Sequence, residues 1–226
     1  MSLILKSFTQ DYSVTLVVGS NESELKVSSK MILRSEFLRE KLATFQGNQN
    51  IRISVPQTTP EVMSLYLAFI HTGPHVLALP QVVTKSAISN VYVDLAKIYL
   101  VSRGLGDKGA RNDVVTAMLN LSKIKDNVET TYPPSPDAVD LIYKNTNATS
   151  PIRQLLIDLW TPIPLNLIQN CKPLPSQFIK DILRAISNQD LDSKSLQKVL
   201  VAAMGVKEVQ DLPKAALAKR PDAYMD

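Results

Sequence analysis

The feature that most constrains the fold is a set of three short stretches in which apolar and polar residues alternate. They cover residues 13–18, 24–27 and 51–55, and Gly19 with a polar turn separates the first two. Period-two alternation in β-branched residues predicts strands that bury one face. The side chains expected to be largely buried are those of Val14, Leu16, Leu25, Val27, Ile51 and Ile53.

Helices must cover this face, because three strands of this length cannot shield it from water alone. Most of the remaining sequence has helical periodicity. The expected fold class is therefore α+β: a small three-stranded sheet covered by helices, followed by an all-helical extension.

Two short helices are predicted between the second and third strands. Ser28 or Ser29 is suited to cap the first and Ser35 the second, since a serine hydroxyl accepts a hydrogen bond from a free first-turn amide. The expected apolar positions are Met31, Ile32 and Leu33 in the first helix, and Phe37, Leu38 and Leu42 in the second.

A stronger helix start follows the third strand. Thr59 supplies a hydroxyl cap, Pro60 stands at the first helical position, and Glu61 adds a carboxylate near the positive end of the helix dipole. Gly73 and Pro74 are expected to end this helix. Its predicted core stripe is Val62, Leu65, Tyr66, Phe69 and Ile70.

A loop over residues 74–89 is expected to lead into a helical pair. Gly104 is placed to end the first helix of the pair, and Asp107 to cap the second. The expected core positions are Val91, Leu95, Ile98 and Tyr99 in the first helix, and Ala110, Val114, Met118 and Leu121 in the second.

The polar segment 122–135 ends in Tyr132-Pro-Pro-Ser-Pro136 and is typical of a linker. A helical extension is predicted over 136–205, followed by a loose tail over 206–226. The first helix of the extension is expected after Ser135-Pro136, and the second after Ser150-Pro151, with the apolar residues Ile152, Leu155, Leu156 and Leu159. The third is expected at Phe178, Ile179, Ile182, Leu183 and Ile186, and the last runs through Leu196, Val199, Leu200 and Ala203.

Composition narrows the functional classes. Among 226 residues, 25 Lys and Arg against 21 Asp and Glu give a net charge of +4, too mild and scattered to imply nucleic-acid binding. The single cysteine, Cys171, excludes an intrachain disulfide and a multi-thiolate zinc site. No signal-peptide pattern and no apolar run of roughly 18 residues occurs, so the expectation is a soluble intracellular protein of cytoplasm or nucleus.

Two motifs resemble a nucleotide-binding site and a zinc site, but the neighbouring residues do not have the secondary structure that either site requires. Residues 104–109 spell G-x-G-x-x-G, but a dinucleotide site requires a strand before that string, and the preceding residues have helical periodicity. His71 and His75 have the spacing of two zinc ligands on a helix, yet Gly73 and Pro74 lie between them. We therefore expect no catalytic centre, no metal and no cofactor, with a nucleotide-binding enzyme using residues 104–109 as the alternative from another class.

The order of elements resembles the BTB/POZ domain over about residues 10–121. The passage Leu25-Lys-Val-Ser-Ser-Lys-Met-Ile-Leu-Arg-Ser-Glu-Phe-Leu38 is similar to the family's strand-to-helix signature. The family's following helices are similar to two later parts of the chain. One is the helix that starts at Thr59-Pro-Glu-Val and ends at Thr72-Gly73, and the other is the helical pair around Val93 and Leu105. The segment from Ile142 to Trp160 resembles the extension of fungal BTB proteins.

The resemblance implies a non-catalytic protein–protein interaction module, an adaptor or scaffold. The candidate partner-binding residues are Met31, Leu33, Phe45 and His71, each near a loop or helix edge, with core packing as the alternative for each. A second copy of the chain is one candidate partner, which would give a homodimer, although Ser13 stands where dimerising members carry Asp.

A cullin-based ubiquitin-ligase adaptor is the alternative within this class. Cullin-binding members carry a hydrophobic-x-Glu motif in the loop before the third strand. Phe45 can supply the hydrophobic member here, but Gly47 stands at the carboxylate position.

Overall fold

The computed structural model describes five segments of the chain, and all structural statements below concern these residues. They are residues 13–45, 50–77, 84–125, 130–163 and 173–187. The predicted tail and the predicted helix through Leu196 and Ala203 lie outside them.

The three predicted strands form one sheet with the order β2-β1-β3. They are β1 (Ser13–Val18), β2 (Ser23–Ser28) and β3 (Ile51–Val55). β1 pairs antiparallel with β2 and parallel with β3. The register aligns the apolar set, Val14 with Val27 and Ile51, and Leu16 with Leu25 and Ile53.

Five of the six side chains predicted to be buried in the sheet are buried, and Leu25 is only half-buried. Leu25 lies on the edge strand β2, which has a neighbouring strand on one side only. Alternation identifies the inward face of a strand but not how far the covering helices extend over an edge, which is why Leu25 is covered less than the other five side chains.

Two short helices connect β2 to β3: α1 (Ser29–Ile32) and α2 (Glu36–Ala43). The Ser28 hydroxyl accepts from the amide of Lys30, and the Ser35 hydroxyl accepts from the amide of Leu38. The structure thus selects Ser28 as the first cap and confirms Ser35 as the second. Ile32, Leu38 and Leu42 are buried, whereas Phe37 is half-buried.

Helix α3 (Pro60–Thr72) begins at the predicted cap, with the Thr59 hydroxyl accepting from the amide of Val62. Its buried stripe is rotated from the predicted one. Tyr66 and Phe69 are buried as expected, but Met63 and Leu67 complete the stripe. The other three predicted core residues are only half-buried, which is less than a core position implies: Val62, Leu65 and Ile70. α3 packs against β2 and α1.

The expected loop over 74–89 contains more helix than predicted. A 3₁₀ helix spans Gly73–Leu77, and α4 (Lys85–Gly104) begins before residue 89. α5 (Lys108–Leu121) follows, with its four predicted core residues buried. In α4 the buried apolar residues are Ile88, Tyr92, Leu95, Ala96, Ile98 and Tyr99, whereas Val91 is half-buried.

The later helices are α6 (Pro136–Asn145), α7 (Pro151–Trp160) and α8 (Ser176–Ser187). α8 buries all five residues of its predicted stripe, and α7 buries Ile152, Leu155 and Leu156 but leaves Leu159 half-buried. The three helices pack against one another.

The chain divides into two compact units. One comprises the described residues of 1–78 with 97–114, and the other those of 79–96 with 115–226. The first contains the sheet and helices α1, α2 and α3, and the second contains α6, α7 and α8. In the described segments, no helix has both the length and the apolar character needed to cross a bilayer.

Candidate functional site

The four candidate contact residues all lie in the first unit. Met31 is in α1 and Leu33 follows it as the C-cap, and both are half-buried. His71 is exposed in the last turn of α3. Because α1 packs against α3, the structure brings the elements that carry these three residues together.

Phe45 lies on a different element, two residues beyond the end of α2, and 42% of its surface is exposed. α2 packs against β3. Among the described residues, Phe45 and Val76, at 37%, are the large apolar side chains with the greatest exposure. The loop before β3 therefore presents an aromatic ring to solvent.

The junction between α1 and α2 is anchored by hydrogen bonds to one carbonyl. The Ser35 hydroxyl donates to the Leu105 carbonyl oxygen at 2.7 Å, and the Phe37 amide donates to the same oxygen at 3.2 Å. Ser35 also accepts from the Leu38 amide at 3.0 Å. One serine therefore caps α2 and holds the turn between α4 and α5 beside it.

A buried carboxylate lies in that turn. The Asp107 Oδ1 accepts from the Ala110 amide at 2.9 Å, which is the cap predicted from the sequence. Its Oδ2 accepts from the Tyr66 hydroxyl at 2.8 Å, and the Nε of Arg34 lies 3.6 Å from the same oxygen. Three partners compensate for removing this charge from water.

Arg34 links Asp107 to the surface. Its Nη2 donates to Asp113 Oδ2 at 2.9 Å, and both of these side chains are partly exposed. Desolvation alone would lower the pKa of the Arg34 guanidinium, but the hydrogen bond to Asp113 and the charge of Asp107 outweigh it and raise that pKa. Arg34 is thus held in its charged form.

Burial raises the pKa of the Tyr66 hydroxyl well above its ordinary value, and the neighbouring Asp107 charge raises it further. The phenol is therefore a neutral hydrogen-bond donor at physiological pH. In the second unit, burial raises the pKa of Tyr92 and Tyr143 in the same direction.

The glycine string at residues 104–109 is part of this arrangement. The segment before it is α4, so the predicted helical context is confirmed. Gly106 has a φ of +68°, and a Cβ there would lie 3.0 Å from the Glu36 Cβ. A Cβ on Gly109 would lie 2.9 Å from Arg34 Nη2. These glycines allow a left-handed turn and the close approach of the guanidinium to α5.

The two histidines do not share a helix face. α3 ends between them at Gly73, whose φ is +75°, and His75 lies in the 3₁₀ helix. Across the described segments, no three His, Cys, Asp or Glu side chains are grouped as metal ligands. Cys171 lies outside these segments.

The second unit has a polar cluster of its own around Arg153, which is buried. Its Nη2 donates to the Tyr143 carbonyl at 2.6 Å and to the Thr146 carbonyl, while its Nε donates to Thr146 Oγ1 at 2.9 Å. These carbonyls lie at the C-terminal end of α6, where the helix dipole favours a cation. The guanidinium also lies 4.2 Å from the centre of the Tyr143 ring.

Aromatic side chains surround this cluster. Phe178 packs edge-on against Tyr143 and Trp160, with ring centroids 5.1 and 5.7 Å apart. The Tyr143 hydroxyl donates to Asp181 at 3.1 Å, and the Trp160 indole donates to the Pro134 carbonyl at 3.0 Å. The cluster therefore joins α6, α7 and α8.

No protein-family model matches the chain, and no curated protein matches it. The interpretation of the site therefore depends on its geometry. In both units the buried charged and phenolic groups hold helices in place, and the surface of the first unit presents the partly exposed apolar residues Phe45, Met31 and Leu33.

The sequence pattern identified Asp107 as a cap but did not identify Tyr66 and Arg34 as its partners. It also did not identify the buried Arg153 of the second unit. Tyr66 was assigned to the core stripe of α3, which describes its ring but not its hydroxyl. No local pattern pairs residues 41 positions apart. An Arg at the third position of a helix gives no signal that it is buried.

Proposed function

We propose that this chain is a non-catalytic protein–protein interaction module of the BTB/POZ type, acting as an adaptor or scaffold. The observation that carries the proposal is the order of elements in the first unit. A hairpin, two short helices, a third strand in the same sheet and a capped helix follow one another. This order is the one that the resemblance of residues 10–121 implies.

The proposed contact surface is centred on Phe45. Fully burying a Phe side chain removes about 200 Å² from water, so the 42% that is exposed represents about 80 Å². At about 25 cal/mol per Å², covering it with an apolar partner would contribute about 2 kcal/mol, typical of an interface anchor. Met31 in α1 and Leu33 directly after it have less apolar surface left to cover, since each is already half-buried.

The polar cluster in the first unit supports this role. The bonds of Ser35, Arg34 and Asp107 hold the α1–α2 junction against the turn at residues 105–107. A contact surface that is fixed before binding loses less conformational freedom on association, which favours affinity. The cluster is thus a framework that orients α1 and α2.

Site-specific photocrosslinking in the native cell tests the proposal. A photoreactive phenylalanine analogue at position 45 is expected to give one dominant crosslinked protein, identified by mass spectrometry. The analogue at Val76, which is similarly exposed and lies in the same unit, is the matched control. Binding of the purified partner should then weaken at least about tenfold in Phe45→Ala, the loss of about 1.4 kcal/mol.

Equal crosslinking from positions 45 and 76, or an unchanged Kd in Phe45→Ala, would contradict a contact surface at Phe45. Sedimentation velocity of the purified chain across a range of concentrations separates a second copy from another partner. A homodimer predicts that the crosslinked product has twice the mass of the chain and that its fraction rises with concentration.

A cullin-based ubiquitin-ligase adaptor is the second candidate, favoured by the exposure of Phe45 in the loop before β3. Purified cullin N-terminal domain is the probe. If this loop is a cullin contact, Gly47→Glu should tighten binding, because it restores the carboxylate of the hydrophobic-x-Glu pattern. Phe45→Ala should abolish the gain. Absence of binding to both the parent chain and Gly47→Glu would remove this candidate and leave the general proposal unaffected.

A further inference from the structure

Four serine or threonine residues in the chain precede a proline: Thr59, Ser135, Ser150 and Thr161. The Ser/Thr-Pro dipeptide is the minimal target of proline-directed protein kinases. Sequence alone treats the four residues alike, since each stands at the end of a predicted helix or just before one. Their surroundings in the folded chain separate them.

Ser135 and Ser150 are inaccessible. Their exposed fractions are 5% and 8%. The Ser135 hydroxyl also donates to the Ser89 carbonyl and accepts from the Ala138 amide, each at 3.3 Å. A kinase would have to unfold this part of the unit before it could reach either hydroxyl.

Thr161 has an unsuitable backbone. It is the C-cap of α7 and has helical dihedral angles, with φ of −54° and ψ of −37°. Its hydroxyl donates to the Ile157 carbonyl at 2.8 Å, inside the last turn. A kinase binds its substrate in an extended conformation, which Thr161 does not have.

Thr59 meets both requirements. It is exposed, and its backbone is extended, with φ of −92° and ψ of 157°. It ends the short connection from β3 to α3, in which Pro56 and Gln57 are also exposed. Its Oγ1 accepts a hydrogen bond of 3.4 Å from the Val62 amide, at the long end of the range for such bonds.

We propose that Thr59 is a phosphorylation site for a proline-directed Ser/Thr kinase, with Mg-ATP as the phosphoryl donor. The Thr59 Oγ1 attacks the γ-phosphorus of ATP, forming an O–P ester bond. The bond between the γ-phosphorus and the bridging oxygen breaks, its electron pair leaves with ADP, and the hydroxyl proton passes to the catalytic aspartate of the kinase. In the unmodified chain, Glu61 shares a hydrogen bond with the Thr59 hydroxyl, which lowers the pKa of the Glu61 carboxyl.

The test compares the folded chain with free peptides of the same sequence. Peptides 53–65, 129–141, 144–156 and 155–167 contain the four dipeptides in unfolded form. Each peptide and the full chain are incubated with a purified cyclin-dependent kinase and Mg-ATP, and site-resolved phosphorylation rates are read by mass spectrometry. The ratio of folded to peptide rate removes the sequence preference of the kinase and leaves accessibility.

The expected rate ratio at Thr59 is within about tenfold of one, whereas Ser135 and Ser150 should be slowed by about 100-fold or more, because reaction there needs local unfolding. Thr59→Ala should remove the phosphate, Thr59→Ser should restore it, and Pro60→Ala should reduce it while retaining the hydroxyl. Phosphopeptide analysis of the protein from its native cell should detect phosphate at Thr59.

A peptide 53–65 that is phosphorylated while Thr59 of the folded chain is not would overturn the proposal. Faster phosphorylation of Ser135, Ser150 or Thr161 than of Thr59 in the folded chain would do the same. None of these results depends on whether the chain is an interaction module.

Discussion

The Tyr66 hydroxyl donates a 2.8 Å hydrogen bond to the carboxylate of Asp107, and both side chains are almost completely buried. Tyr66 belongs to α3 and Asp107 to the turn between α4 and α5. The bond therefore fastens two distant parts of the chain inside the first unit. Its loss leaves a buried carboxylate with one donor fewer, which is costly because water cannot replace that donor.

Tyr66→Phe is expected to destabilise the protein by about 1–3 kcal/mol, since it removes a hydrogen-bond donor from a buried carboxylate while keeping the ring in place. Urea unfolding followed by circular dichroism measures the change. Tyr92→Phe is the matched control, because that hydroxyl donates a longer bond of 3.3 Å to the neutral Tyr132 carbonyl. An effect of Tyr66→Phe no larger than that of the control would contradict the role given to Asp107.

Stability is expected to fall as the pH rises above about 10, the ordinary pKa of tyrosine. The folded-state pKa of Tyr66, Tyr92 and Tyr143 is raised by burial, so above pH 10 the unfolded chain releases phenolic protons that the native chain retains. Each phenol contributes stability that is present below that pH and lost above it, by up to about 1.4 kcal/mol per pH unit. Urea midpoints between pH 9 and 11 should decline, and Tyr66→Phe should decline less steeply. A flat profile would mean that these hydroxyls are exposed.

Gly106→Ala is expected to destabilise the protein by at least about 1–2 kcal/mol, since a Cβ is strained at positive φ. It would also press against Glu36, 3.0 Å away. Gly104→Ala is the control, because Gly104 has no positive φ and its nearest neighbour, Gln57, lies at an ordinary 3.9 Å. We expect this change to be neutral or slightly stabilising. Thermal melts of both variants measure the difference.

The same glycine string is expected to bind no nucleotide. α4 precedes it in place of a strand, and the Asp107 carboxylate already accepts from the first-turn amide of Ala110. A phosphate would meet that negative charge. Calorimetric titration with NAD, FAD and ATP should therefore give no binding isotherm. A micromolar Kd that Gly106→Ala removes would reverse this conclusion.

Met63→Ala is expected to destabilise by about 2–5 kcal/mol, the usual range for a large-to-small change in a packed core, because Met63 is fully buried. Leu65→Ala, two residues along the same helix, should cost clearly less, since Leu65 is half-buried. Urea midpoints of the two variants decide the rotation of α3. Equal losses of stability in the two variants would mean that Leu65 is a core residue, as the sequence pattern predicted.

Arg153→Met is expected to destabilise the protein by about 2–4 kcal/mol, because the carbonyls of Tyr143 and Thr146 lose a charged donor that water cannot easily replace. Lys144→Met is the control. Its ammonium forms an exposed pair with Asp140, of the kind that contributes less than about 1 kcal/mol. A similar small loss in both variants would mean that the Arg153 guanidinium is solvated.

The sequence by itself determined most of the elements of the described segments, because the signals for strands and helix starts are local. Alternation identifies a strand from its own residues, and Ser35, Thr59 and Asp107 each cap a helix by accepting from the amide three positions further along. The turn at Gly106 is similarly local, since only a residue without a Cβ adopts that φ without strain.

The tertiary structure decided whatever depends on residues far apart in the sequence. It set β3 parallel to β1, rotated α3 so that Met63 replaced Leu65 in the core, and left Leu25 half-covered at the sheet edge. It also paired Tyr66 with Asp107 across 41 positions. Periodicity gives the width of an apolar face, but its exact orientation and the partner of a buried polar atom depend on what packs against it.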